Sequence, residues 1–158
     1  MSALDGDEPD WRSFLDEYVA AVDWPASVFW RELHVAFPDA LVVLSVRKDP
    51  EMWWSSFSQT IVTAMREPPS DELREWHELG MALLARFTPD WGDGEAAMAA
   101  YQRHNAEVRA GLAGRRLIEW RPEDGWDPIC RALELPVPNE PFPRVNSRDE
   151  WVTKQDDR

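Results

Sequence analysis

Only two stretches of this chain read as strands, and that limits what it can fold into more than any other feature. Residues 41–46, LVVLSV, are a short, nearly continuous apolar run rich in valine, the pattern of a strand buried on both faces. Residues 116–120, RLIEW, are the second. Around them lie helical patterns. In residues 10–22, Trp11, Phe14, Leu15, Tyr18 and Val22 share one helical face, with Asp10 as N-cap. Pro25 suits the first turn of a helix over residues 25–37. Further helices are predicted over residues 50–65, 71–87, 95–112 and 127–133, with a loop at 88–94 and Gly114 as a stop. The tail from Leu135 is proline-rich and extended, with a last helical turn after Asn146. Strand and helix alternate, so the class is α/β and helix-rich. Two strands make a poor sheet on their own, and a buried parallel pair normally has neighbours.

The length of 158 residues suits one domain spanning 1–158, with residues 1–9 and about 152–158 frayed. Ten tryptophans and a 44% hydrophobic content supply a core. The formal charge of −13 argues against a long basic groove for nucleic acid. Any anion site must therefore be local, and Arg47 and Lys48 stand out at the end of the first strand. Cys130 is the only cysteine, which excludes an intrachain disulfide and argues against a cysteine-based zinc site. His34, His77 and His104 are too far apart for a local metal motif, so no metal is expected. No apolar run reaches the ~20 residues of a membrane span. The acidic start MSALDGDEPDW is not a secretory signal, so a cytoplasmic location is the default expectation.

Four blocks occur in order: AAVDWPASVFWREL, FPDALVVLSVRKDPEMWWSSFSQTI, RHNAEVRAGL and RRLIEWRPEDGWDPICRALELPVPNEPFPRVNSRDEW. Together they resemble the P-loop type of sulfotransferase, and within it the bacterial and fungal branch called sulfotransferase family 4. The resemblance runs from about residue 10 to residue 151. It implies a central parallel sheet flanked by helices. It also implies transfer of a sulfuryl group from 3′-phosphoadenosine 5′-phosphosulfate, the co-substrate, to a hydroxyl or amine on a small-molecule acceptor.

The family carries two phosphate-binding elements. The resemblance assigns the 3′-phosphate to an arginine at a strand end and a serine on the next helix. Arg47 matches the arginine. Counting the family's usual spacing gives Ser55, whereas matching Asp49-Pro50-Glu51 and Trp53 implies one inserted residue near Lys48 and gives Ser56. At about 100° per residue, Ser56 lies nearer the face of Trp53, Phe57, Ile61 and Ala64, so Ser56 is favoured over Ser55. Asp23 is most simply an N-cap, and as part of an Asp-Trp-Pro block it is also a candidate on the acceptor side. The second element, a loop of the form GxGRTGTxSL that holds the 5′-phosphosulfate, has no counterpart before Asp23. The resemblance then implies a sheet lacking its first strand, with a gap between the two that remain. A truncated or mis-started chain and a decayed paralogue fit that expectation; a chain whose two strands have re-paired is the third alternative.

Without that loop, catalysis by this chain alone is not implied. Two other readings stand beside sulfuryl transfer: a non-catalytic relic, and a tryptophan-rich helical interaction domain for which a homo-oligomer is one outcome. Among the remaining residues, Lys48 reads as a surface charge and His34 as exposed. His104 and Asn105 read as structural, Arg144 to Asn146 as a packing tail, and Trp53, Met81, Leu83, Leu84 and Phe87 as core.

Overall fold

In a computed structural model covering residues 9–143, strand β1 (Val42–Ser45) and strand β2 (Leu117–Trp120) run parallel and pair directly. Val42 lies opposite Leu117 and Ser45 opposite Trp120. Val42 N–H donates to the Arg116 carbonyl at 2.8 Å and Val46 N–H to the Trp120 carbonyl at 2.9 Å, which extends the ladder at both ends. The expected gap between the strands is therefore not there. Direct pairing gives the facing edges the partners that buried backbone groups require. Among the described residues no third strand joins this sheet.

The sheet is buried on one face rather than both, contrary to the expectation for residues 41–46. Leu44 and Val46 pack with Val108 and Leu112 of helix α6 (Gly94–Gly111) and its C-cap, with Trp30, Val42 and Leu117 against them. Val43 and Ser45 point to the other side and are exposed. There Trp120 packs on Phe142, 5.3 Å between ring centroids, and its indole N–H donates to the Gly125 carbonyl. Valine content alone could not distinguish one covered face from two.

Before β1 come α1 (Trp11–Phe14) and α2 (Trp30–Ala36). Both are shorter than their patterns predict. Asp10 caps α1 as expected, accepting from the amides of Arg12 and Ser13. The helix stops after one turn because its apolar side meets little: Phe14, Tyr18, Val19 and Val22 are all exposed. A short amphipathic helix without a surface to pack on is not stable. Residues 24–29 form turns rather than the first half of a helix. Asp23 (φ 60°) consequently caps no helix; its carboxylate accepts from the Trp24 amide at 2.8 Å, and its carbonyl accepts from Ser27 N–H. His34, expected exposed, is half-buried.

After β1, α3 (Pro50–Phe57) continues through a π-helical turn (Ser58–Val62) into α4 (Thr63–Arg66). Asp49 caps α3 and Pro50 occupies its first turn, as their order in sequence predicts. Then come α5 (Arg74–Phe87), α6, β2 and α7 (Asp127–Ala132). A second core lies among α3, α4 and α5, built from Phe57, Val62, Met65 and Leu84. Leu83 and Leu84 are buried as expected, while Met81 and Phe87 are half-buried. The described tryptophans surround the cores rather than fill them, since none is fully buried. The expected turn after Asn146, the tail residues Arg144 to Asn146 and the ends expected to be frayed, apart from Pro9, lie outside the described residues. Among those described, no helix is long and apolar enough to cross a membrane, and no three His, Cys, Asp or Glu are grouped to hold a metal ion.

Candidate functional site

At the carboxyl end of the strand pair the chain opens into a cleft of about 210 Å³. Parallel strands direct their carboxyl ends to such places, where side chains beyond the last rung are free of the ladder. One wall is the turn from β1 into α3: Val46, Arg47, Lys48, Asp49 and Pro50. The second is α6, through Tyr101, Gln102, Asn105 and Arg109, and the third is Glu119 and Arg121 at the end of β2.

Each wall is fixed by something the sequence supplies. Val46 is buried, so the chain is held in the core up to the residue before Arg47. Arg47 N–H then donates to the Tyr101 hydroxyl oxygen at 2.9 Å. Tyr101 is itself held by a stack on Trp53, 4.6 Å and 10° between rings, and Trp53 stacks in turn on Phe57. The strand end is thus tied to α6 and α3 through one phenol. Asp49 accepts from Met52 N–H at 2.7 Å and closes the first turn of α3.

The electrostatics are local, as the composition requires. Four cationic side chains, Arg47, Lys48, Arg109 and Arg121, meet two carboxylates, Asp49 and Glu119, in a chain of net charge −13. The Arg109 guanidinium is taken by Glu119, with Nε donating at 2.7 Å. Arg121 reaches the same carboxylate at 4.0 Å. Among the described residues, Arg47 and Lys48 have no carboxylate within ion-pair distance, and both are exposed. Two uncompensated cations in one concavity favour an anion with several acceptor oxygens.

The residues singled out from sequence divide here. Arg47 lines the cleft; Ser55, Ser56 and Asp23 are not part of its lining. Ser55 and Ser56 are half-buried in the second turn of α3, and the Ser56 carbonyl accepts from the Thr60 hydroxyl at 2.8 Å. Tyr101, Asn105, Arg109, Glu119 and Arg121 were not anticipated. Their signal was the spacing of Tyr101, Asn105 and Arg109, four residues apart along α6, which puts a hydroxyl, a carboxamide and a guanidinium on one side of a helix. His104, the neighbour of Asn105, lies edge-on to Phe87 instead, and burial lowers its pKa.

Comparison with known proteins adds the following. The model of the sulfotransferase domain family matches residues 3–151. Ava biosynthesis cluster protein M of Aspergillus versicolor is 29% identical over 159 residues, covering 89% of this chain. The chain spans 58% of the length of that relative.

Proposed function

This chain belongs to the sulfotransferase domain family, and we propose that its cleft holds the 3′-phosphate end of 3′-phosphoadenosine 5′-phosphosulfate in sulfuryl transfer to a hydroxyl or amine acceptor. The single observation behind this reading is Arg47: a guanidinium at the end of β1, in a concavity, with no ion pair to a described residue. The donor set fits a phosphate dianion. Arg47 offsets one of its charges, Lys48 offsets the other at the rim, and the Tyr101 hydroxyl fixes the backbone that carries Arg47. The co-substrate, when bound, supplies the activated sulfuryl group. Ser56, with Ser55 as the alternative, is the proposed hydroxyl ligand from α3, and Asp23 the proposed residue on the acceptor side.

Calorimetry with adenosine 3′,5′-bisphosphate tests the reading. Arg47→Ala is expected to weaken binding by at least tenfold, since a hydrogen bond to a charged group contributes about 1.5–3 kcal/mol. Ser56→Ala should weaken it less, and Ser55→Ala least. Equal binding by wild type and Arg47→Ala would remove Arg47 from the site.

A second reading, protein interaction, is supported by a different surface. Phe14, Tyr18, Val19, Val22 and Val35 are exposed in and around α1 and α2, which leaves their apolar side chains open to a partner. Self-association measured by sedimentation, and abolished by Val19→Glu with Val22→Glu, would favour it.

A further inference from the structure

Of the three α6 side chains spaced four residues apart on the cleft wall, Tyr101, Asn105 and Arg109, the outer two have partners and the middle one does not. Tyr101 accepts from Arg47 N–H, and Arg109 is paired with Glu119. Asn105 lies between them, one turn from each. It is 5% exposed, it lines the cleft, and its carboxamide has no hydrogen bond to any described residue. A carboxamide carries two donors and an acceptor, and those of Asn105 are not sealed from solvent but open onto the cleft, where a ligand can reach them. The amide borders the cleft without a protein partner, so it is the feature to be explained.

The surroundings say what kind of partner fits. Arg47, Lys48 and the Arg109–Glu119 pair border the same space. The Tyr101 hydroxyl accepts from Arg47 N–H and keeps its own proton to donate, for which the described residues supply no acceptor. The groups facing the cleft near Asn105 are therefore mainly donors and cations. The complementary ligand atom is an anionic oxygen.

We propose that Asn105 is a ligand-binding residue, donating its carboxamide N–H to a phosphoryl oxygen of the anion that Arg47 attracts. The identity of that anion as a nucleotide 3′-phosphate rests on the reading above; the chemistry at Asn105 is that of any tetrahedral phosphate. The residue reads geometry rather than charge: it sets where the phosphate sits between the β1 turn and α6, and Arg47 supplies the attraction.

Calorimetry on the full chain with two probes, adenosine 3′,5′-bisphosphate and inorganic phosphate, tests this. The expected result is about tenfold weaker bisphosphate binding by Asn105→Ala, and a larger loss by Asn105→Asp, which adds a repelling carboxylate in the same shape. In the wild-type protein the assigned Asn105 side-chain amide should shift in ¹⁵N-edited NMR spectra as bisphosphate is added, a measurement that does not depend on the variants folding. Loss of binding by Arg47→Ala but not by the Asn105 variants, or no shift of that amide at saturation, overturns the assignment and leaves the nucleotide reading intact. Inorganic phosphate binding as tightly as bisphosphate and depending on Asn105 supports the assignment and removes the nucleotide. No binding of either probe to wild type overturns both.

Discussion

His104 and Asn105 are adjacent in sequence, and α6 turns them to different tasks. Asn105 faces the cleft, while the His104 ring sits half-buried beside Phe87. Burial lowers the His104 pKa; Glu107 acts in the opposite direction and Arg31 reinforces the shift. The unfolded chain therefore takes up the proton first as pH falls. Stability from this residue is complete above the ordinary histidine value near 6.5 and declines as pH drops below it. Thermal melts between pH 7.5 and 5 should show a fall in melting temperature that is shallower in His104→Phe, and an identical slope in both proteins would refute it. At this scale the sequence was informative where a backbone rule applied. Arg47 follows a strand and precedes a capped helix start, so its place at a strand mouth could be read. Asn105 could not be assigned, because helical periodicity says which residues share a face and not whether that face meets core or cleft.

Among the elements, α6 is the one that both the sheet core and the cleft depend on, and its last residue shows how closely it is packed. A Cβ at Gly111 would stand 2.8 Å from the edge of the Trp30 ring, which packs against the sheet core. A Cβ at Gly80 in α5 would meet the Met65 sulfur at 2.9 Å. The distances are nearly equal, but the obstacles differ: an indole in a packed site is rigid, whereas a thioether can rotate away. Gly111→Ala should destabilise by about 1–3 kcal/mol, reduced by some of the helix preference for alanine. Gly80→Ala should stay within about 1 kcal/mol of wild type, because the same preference offsets a small repacking. Urea titrations of the two variants measure the contrast, and equal midpoints would show that Trp30 yields as easily as Met65. The helices from α3 to α7 were legible in sequence to within a few residues, since capping residues and apolar faces agreed there. The region before β1 was not. Phe14, Tyr18 and Val22 carry a helical pattern yet end exposed, and a pattern predicts a helix only where something covers its face.

Across the whole molecule, charge works in two directions. Net −13 means that most long-range interactions are repulsive, while the cleft gathers the opposite sign. Added salt shortens the reach of both effects. Between about 0.05 and 0.5 M sodium chloride the melting temperature should rise while affinity for adenosine 3′,5′-bisphosphate falls. Scanning fluorimetry and calorimetry on one sample series follow the two, and movement in the same direction would mean that the cleft is not where the anion binds. The α/β class was legible from two apolar runs among many helices. The strand pairing was not, because neighbours in a sheet are chosen by three-dimensional packing and two isolated runs carry no register. That pairing has a consequence in time. Val42 meets Leu117 only after every helix from α3 to α6 has been made, so the two rims of the cleft come from distant parts of synthesis. On a ribosome, the half bearing Arg47 waits for the half bearing Arg121 before the pocket can close.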